Sequence, residues 1–233
     1  MDKVVMISGV TGGIGSATAR ALLDTGWRVS MGSRNIESAC SILPSGPTAL
    51  HVSYEATDRY AAKAWVAATI DAFGRVDAIV NSAGILLPFE LDHGDKAEQE
   101  LDLMWEVNLK APLRVVREAL PSFKSNGGGH VVNVASLAGV RPGNTSLGYS
   151  LTKAALVSLT QIIRTKYWDD NIRSSAICPG AVDTDMISVN SGTLRHPPSN
   201  PADIAEAIVF LLSLRPTSSV AMLAINSRPD ALW

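Results

Sequence analysis

The sequence has few cysteines, and it lacks both a charge excess and a long hydrophobic run. Its 233 residues include two cysteines, Cys40 and Cys178, and the net charge is −2. Two cysteines cannot build the dense disulfide framework of a small secreted protein, so a reducing cytoplasm is expected. Each cysteine is interpreted as a small buried residue. A net charge near zero excludes the basic field that would attract nucleic acid or an anionic membrane surface.

The hydrophobic residues are numerous but dispersed. No stretch reaches the roughly 18 apolar residues of a membrane span. The first residues, MDKVVMISGVTGG, contain an apolar run that is too short and too broken by glycines for a signal peptide. Hydrophobic residues make up 46% of the chain, which is ample for one sizeable core, so a single domain over 1–233 is predicted.

Short β-branched runs alternate with helical patterns from one end of the chain to the other. Such apolar runs are typical of strands buried on both faces of a parallel sheet. Strands are predicted at 3–8, 28–32, 48–53, 76–80, 130–135, 172–178 and 221–226, and helices at 14–26, 57–72, 98–125, 148–169 and 201–213. The order predicts a doubly wound α/β fold, in which ligands bind at the carboxyl ends of the strands.

The first strand is followed by SGVTGGIG, in which Gly9, Gly13 and Gly15 precede and open a helix. Glycines permit positive φ angles and omit the Cβ atoms that would block a phosphate. The free N–H groups of a helix N-terminus attract a pyrophosphate. In this strand–turn–helix context the loop favours dinucleotide binding over a plain turn.

The second strand is followed by Ser33 and Arg34, where folds selective for NAD usually place an acidic residue on the ribose 2′-hydroxyl. A hydroxyl and a guanidinium suit a 2′-phosphate. The nearest acid, Glu37, is expected inside the next helix. NADP(H) is therefore the predicted cofactor and NAD(H) the less favoured one, while the alternative for Arg34 is a solvated turn residue.

Polar or small residues follow the other strands. Glu55, beside the backbone of Ala56, is placed to accept a hydrogen bond from adenine, and Asp58 is expected to cap the next helix. Thr184 is a candidate ligand of a carboxamide or a phosphate, and 185–200, which lacks periodicity, is predicted to be a substrate lid. The other predicted cofactor-binding residues are Thr11, Ile14, Asn81, Ala83, Gly84, Tyr149, Lys153, Pro179, Gly180 and Val182.

The pentapeptide YSLTK places Tyr149 and Lys153 one helical turn apart, and Ser136 follows the fifth strand. Residues at i and i+4 share a helix face, so the pair alone also fits an ordinary surface. Ser136 alone fits a turn. Together with the glycine loop, the three residues predict an acid/base centre.

Taken in order, these motifs resemble the short-chain dehydrogenase/reductase family. The matching set is GVTGGIG at 9–15, NSAG at 81–84, Asn108 in EVNLKAP, Ser136, YSLTK at 149–153 and PGAVDT at 179–184. The resemblance extends from about residue 3 to 226. It implies a Rossmann-type, seven-stranded parallel sheet, NAD(P)-linked interconversion of alcohols and carbonyls, and a homodimer or homotetramer. This chain departs from the family pattern at Ser82, at Glu55 and in its final residues, AINSRPDALW.

The resemblance also implies roles for four catalytic residues. Tyr149 is the general acid in reduction and the base in oxidation, and the charge of Lys153 lowers its pKa. Lys153 also binds the nicotinamide ribose. Ser136 holds the carbonyl oxygen, and Asn108 positions a water that links Lys153 to solvent.

The predicted substrate pocket is mostly apolar, which favours a small hydrophobic carbonyl or alcohol. Its residues are Ile85, Leu86, Leu87, Leu137, Ala138, Leu147, Ala181, Met186 and Ile187. Arg141 and Arg195 are candidates to meet a carboxylate, although solvated positions are preferred for both. The alternative function is a non-catalytic NADP(H)-binding sensor or scaffold.

Overall fold

The computed structural model describes residues 3–91, 94–141, 147–188 and 196–228, and its centre is one sheet of seven parallel strands. The strands are β1 Val4–Ser8, β2 Arg28–Ser33, β3 Ala49–Ser53, β4 Ala78–Asn81, β5 Gly129–Val134, β6 Ile172–Pro179 and β7 Met222–Ile225. Their spatial order is β3-β2-β1-β4-β5-β6-β7. The order changes direction between β1 and β4, which opens a cleft at their carboxyl ends. All seven predicted strands are confirmed.

The helices alternate with the strands as predicted. They are α1 Gly13–Asp24, α2 Ile36–Ile42, α3 Ala61–Phe73, α4 Asp95–Trp105, α5 Ala111–Ser125, α6 Leu147–Lys166, α7 Asp185–Ser188 and α8 Pro201–Ser213. One π-helical turn, Glu106–Lys110, joins α4 to α5. None of the helices in the described ranges is long and apolar enough to cross a membrane.

Two helix N-caps were predicted from the sequence, and one of the two is confirmed. At α8 the Oδ1 of Asn200 accepts a hydrogen bond from the N–H of Ala202 at 2.9 Å, and Pro201 is the first helical residue, as predicted. The prediction that Asp58 caps α3 was wrong. The helix begins at Ala61 with Tyr60 as its N-cap residue, and Asp58 instead accepts a hydrogen bond from the N–H of Tyr60 at 2.8 Å. Asp58 therefore shapes the turn before the helix.

The sheet separates two apolar layers. Successive side chains of a strand point to opposite faces, so Val5 and Ile7 of β1 enter one layer and Met6 enters the other. Helices α1, α2 and α8 cover the first layer, and α3, α5 and α6 cover the second. Because both faces are buried, the sheet is rigid and presents its functional residues at its carboxyl edge.

Candidate active site

A cleft of about 990 Å³ runs along the carboxyl edge of the sheet. The segments that follow β1 to β7 line this cleft. Among the predicted site residues, the following line it: Gly9, Thr11, Gly13, Ile14, Gly15, Ser33, Arg34, Glu55, Ala56, Ala83, Gly84, Ser136, Tyr149, Lys153, Pro179, Gly180, Val182 and Thr184. Asn81 and Asn108 lie behind its wall. The structure thus brings together residues that are far apart in the sequence.

The glycine loop after β1 is shaped for the close approach of a ligand. Gly9 has a φ of 75°, and a Cβ there would lie 2.8 Å from the backbone of Ala83. Gly13 has a φ of 54°, and a Cβ would lie 2.8 Å from the Cγ2 of Thr184. No side chain caps the N-terminus of α1, and its first turn contains no acidic residue. Gly13, Ile14 and Gly15 line the cleft, so this uncapped helix end can accept the pyrophosphate of a dinucleotide.

The end of β2 presents a hydroxyl and a guanidinium to the cleft. Ser33 is buried and donates a hydrogen bond to the carbonyl of Asn35 at 3.1 Å, whereas Arg34 is exposed. Glu37 lies in the first turn of α2, as predicted, and does not line the cleft. This strand end therefore presents a guanidinium rather than a carboxylate to the cleft.

Glu55, after β3, lies on the cleft wall beside Tyr54 and Ala56. Its Oε1 accepts hydrogen bonds from the backbone N–H of Thr57 at 3.1 Å and from the Thr57 hydroxyl at 3.0 Å. These bonds hold the carboxylate in the turn. Burial raises the pKa of Tyr54, so its phenol stays protonated beside this carboxylate.

Asn81, at the end of β4, points into the interior of the protein. Its Nδ2 donates to the Oδ1 of Asn133 at 2.8 Å, and Asn133 donates to the hydroxyl of Thr160 at 2.8 Å. Ser8, at the end of β1, holds the loop that follows Asn81. Its hydroxyl accepts hydrogen bonds from the N–H groups of Ser82 and Ala83 at 3.2 Å each. The sequence did not predict this positioning role of Ser8, because a serine at a strand end carries no distinctive signal.

Tyr149 and Lys153 lie side by side on α6, and both are buried. The Nζ of Lys153 lies 5.6 Å from the centroid of the Tyr149 ring and donates to the carbonyl of Val134 at 2.8 Å. Burial lowers the pKa of Lys153 to about 8. Burial also raises the pKa of Tyr149 to about 12, and a hydrogen bond with Ser136 acts in the opposite direction. Hence the three side chains form one polar cluster within apolar surroundings.

Ser136 begins the short turn Leu137–Gly139 after β5. Its Oγ accepts from the N–H of Ala138 at 3.1 Å, and its side chain is hydrogen-bonded to that of Tyr149. Cys178 of β6 lies beneath this turn, fully buried, and burial raises the pKa of its thiol to about 11. The thiol is therefore neutral near pH 7, as expected for a structural cysteine. The prediction of burial was wrong for Cys40, which is exposed.

Asn108 occupies the centre of the π-helical turn and is fully buried. Its Oδ1 accepts from the N–H of Ile85, and its Nδ2 donates to the carbonyl of Ile85, both at 2.9 Å. The Nδ2 also donates to the Thr152 hydroxyl at 3.0 Å. A Cβ on Gly84 would lie 3.2 Å from the Nζ of Lys153 and 3.3 Å from the Oδ1 of Asn108. Asn108 therefore lies near the lysine, although it does not line the cleft.

The wall around Tyr149 is largely apolar. Seven of the nine predicted pocket residues line the cleft, namely Ile85, Leu86, Leu137, Ala138, Ala181, Met186 and Ile187. Leu87 and Leu147 do not. The Tyr149 hydroxyl lies 4.0 Å from the sulfur of Met186, a residue of α7. The predicted lid at 185–200 thus begins as a helical turn over the tyrosine, whereas its residues 189–195, including Arg195, lie outside the described residues.

The segment after β7 closes the same end of the cleft. Gly180 donates a backbone hydrogen bond to the carbonyl of Ile225 at 2.8 Å, and the Asn226 side chain packs against it. Asn226, Ser227, Arg228, Arg141 and His196 all line the cleft. Arg141 was a predicted contact for a carboxylate, and His196 lies in the predicted lid. The positions of Asn226, Ser227 and Arg228 could not be predicted, because they depend on how the final strand pairs. The described residues contain no group of three or more potential metal-ligating side chains from His, Cys, Asp and Glu.

Comparison with known proteins agrees with this geometry. Residues 3–193 match the family model of the short chain dehydrogenases. An uncharacterized oxidoreductase of Staphylococcus saprophyticus is 31% identical over 233 residues, which cover 98% of this chain and 97% of the relative. An agropine synthesis reductase of Rhizobium rhizogenes is 35% identical over 208 residues, 89% of this chain. The chain spans about half the length of that relative, because only 48% of it is covered.

Solved structures are similar over almost the whole chain. The crystal structure of a 3-ketoacyl-(acyl-carrier-protein) reductase from Brucella melitensis, complexed with NADH, has a TM-score of 0.87 and 26% identity, with 97% of each chain covered. ElxO with NADP bound has a TM-score of 0.86 at 24% identity over 97% of this chain and 98% of that one, a likeness of fold. The fold and the cleft are thus those of a Rossmann-type α/β protein. This chain belongs to the short-chain dehydrogenase/reductase family.

Proposed function

We propose that the protein interconverts a carbonyl and an alcohol on a small, largely apolar substrate, with NADP(H) as its cofactor. The carrying observation is that Ser136, Tyr149 and Lys153 line the same cleft as the uncapped N-terminus of α1. A cofactor-binding scaffold does not require three such polar side chains in an apolar pocket. Catalysis explains the cost of burying them.

Each side chain has one role in this proposal. The Tyr149 hydroxyl gives its proton to the substrate oxygen during reduction and takes it back during oxidation. The Ser136 hydroxyl holds that oxygen in place. The Lys153 ammonium, fixed by its bond to Val134, stabilises the tyrosinate and lowers the pKa of Tyr149 when the site is occupied. When bound, the nicotinamide supplies or accepts the hydride.

The residues that would hold the cofactor follow the strands in order. The N–H groups near Gly13 and Ile14 fit the pyrophosphate, and Glu55 fits the adenine. Arg34 is our basis for preferring NADP(H), since its fork of donors matches a 2′-phosphate and Glu37 does not line the cleft. Thr184, beside the glycine loop, is placed for the carboxamide or a phosphate.

A spectrophotometric screen tests the proposed function. Purified protein is mixed with NADPH or NADH and a carbonyl panel of 2-octanone, benzaldehyde and ethyl acetoacetate, and loss of the reduced cofactor is followed by absorbance. We expect turnover of at least one carbonyl, faster with NADPH. Tight NADPH binding without turnover of a broad panel would instead favour the sensor or scaffold.

We also propose a homodimer or homotetramer in the cytoplasm. The outer faces of α4, α5 and α6 expose Leu103, Leu113 and Leu151, which are 42%, 41% and 48% accessible. Exposed leucines on three adjacent helices fit an interface between copies. Light scattering after size-exclusion chromatography should give a multiple of 24.6 kDa, and a monomer would refute the assembly.

A further inference from the structure

Thr152 lies inside the YSLTK pentapeptide, between the two residues assigned to catalysis, and it is fully buried. Its hydroxyl donates to the backbone carbonyl of Tyr149 at 2.9 Å and accepts from the Nδ2 of Asn108 at 3.0 Å. A hydroxyl has one proton, so the direction of both bonds is fixed. The chain of bonds therefore runs from Asn108 through Thr152 to the helix backbone at Tyr149.

The Asn108 amide has little freedom to reorient. Both of its N–H donors are used, one by the Ile85 carbonyl and one by Thr152, and its oxygen accepts from the Ile85 N–H. Without the Thr152 hydroxyl, one N–H would be buried without a partner, which is costly. The amide would then rotate or shift, and its oxygen would leave the position it holds near the Nζ of Lys153.

We infer that Thr152 is a positioning residue of the active site, acting through Asn108 and through the backbone of Tyr149. This inference rests on the proposed function, because its readout is the rate of that reaction. One hydroxyl joins the π-helical turn to α6, and Asn108 extends the connection to the loop after β4. Removing the Thr152 hydroxyl should misplace the Tyr149 hydroxyl without removing any atom that touches the substrate.

Thr160 provides a matched control on the same helix. It is also fully buried, its hydroxyl donates to the Leu156 carbonyl at 2.8 Å, and it accepts from the Nδ2 of a buried asparagine, Asn133, at 2.8 Å. It lies eight residues further on, about 12 Å along the helix, and does not line the cleft. Thr152→Val and Thr160→Val therefore remove the same chemistry from two places.

The experiment compares Thr152→Val, Thr152→Ser and Thr160→Val in steady-state kinetics, with the best carbonyl of the screen and NADPH. For Thr152→Val we expect kcat to fall about 10- to 100-fold with a smaller change in KM, because misplacement acts on the chemical step. Thr152→Ser keeps the hydroxyl and should restore kcat to near the wild-type value. Thr160→Val should lose a similar amount of thermal stability but keep kcat within about threefold.

Equal kcat losses in the two valine variants would overturn the inference, since that result would show a general effect of stability. An unchanged kcat in Thr152→Val would overturn it as well. If Thr152→Val does not fold, Thr152→Ala against Thr152→Ser gives the same comparison of hydroxyl absent and present. Tyr149→Phe distinguishes failure of this inference from failure of the proposed function. The activity of that variant tests the proposed function independently of Thr152.

Discussion

The ammonium nitrogen of Lys153 lies 5.6 Å from the ring centroid of Tyr149, and both side chains are largely buried where they line the cleft. Burial alone makes the lysine less basic and the tyrosine less acidic. The free protein therefore holds two polar groups at an energetic cost. A bound cofactor and substrate would use them.

The first prediction is that Lys153→Met stabilises the protein while it abolishes turnover. The pKa of Lys153 is lowered from 10.5 to about 8, so burial of its charge costs about 1 to 3 kcal/mol near pH 7. Between pH 8 and 10.5 the unfolded state binds more protons, so wild-type stability rises with pH and the difference from the variant shrinks. Urea unfolding at pH 7 and pH 10 measures this, and a variant less stable than wild type at pH 7 would contradict it.

The second prediction concerns cofactor choice. Arg34→Ala should weaken NADPH binding strongly and NADH binding little, because NADH lacks the phosphate that the guanidinium would bind. We expect the ratio of kcat/KM for NADPH to that for NADH to fall about 10- to 100-fold. Arg117→Ala, on the exposed face of α5, is the control. An unchanged ratio would show that Arg34 is a solvated turn residue.

A third prediction separates backbone strain from steric exclusion in the glycine loop. Gly9 and Gly26 have similar positive φ angles, 75° and 84°, but a Cβ would strike Ala83 at Gly9 and would meet nothing within 4 Å at Gly26. Gly26→Ala should cost about 1 to 2 kcal/mol from the backbone alone. Gly9→Ala should cost more and should also weaken NADPH binding. Thermal unfolding measures the losses of stability. Equal losses in the two variants would mean that the loop moves to accommodate the added Cβ, and would contradict this prediction.

His130 of β5 gives a fourth prediction, about acid stability. Burial lowers its pKa from 6.5 to about 4, and the charges of Arg173 and Lys3 act in the same direction. Its Nε2 lies 3.0 Å from the Ser175 hydroxyl, which already donates to the Val220 carbonyl at 2.7 Å, so the imidazole is the donor. As pH falls from 6.5 to 4 the unfolded state takes up the proton first.

Wild-type stability should therefore decline across that interval by about 1 to 3 kcal/mol because of His130. His130→Gln retains a donor but does not titrate, so its stability should depend less on pH there. Urea unfolding at pH 4.5 and pH 7 gives the comparison. Identical pH dependence in the two proteins would mean that His130 is not the group responsible.

The sequence specified the sheet because its central strands are buried and need apolar, β-branched residues. Most of the predicted site residues line the cleft, since the glycines and Ser136 follow strands and the Tyr149–Lys153 pair shares a helix face. The sequence could not show that Asn81 turns inward to Asn133, because that depends on the pairing of β4 with β5. The place of Arg228 on the cleft wall and the π-helical turn at Asn108 likewise depend on contacts between distant segments.

The central claim is that the Tyr149 hydroxyl transfers the proton, and Tyr149→Phe tests it most directly. Phenylalanine keeps the ring, so NADPH binding, followed by fluorescence, should stay close to that of wild type. The kcat for the best carbonyl should fall about 10²- to 10⁴-fold, the usual contribution of a general acid. A kcat within a few-fold of wild type, with cofactor still bound, would contradict the account.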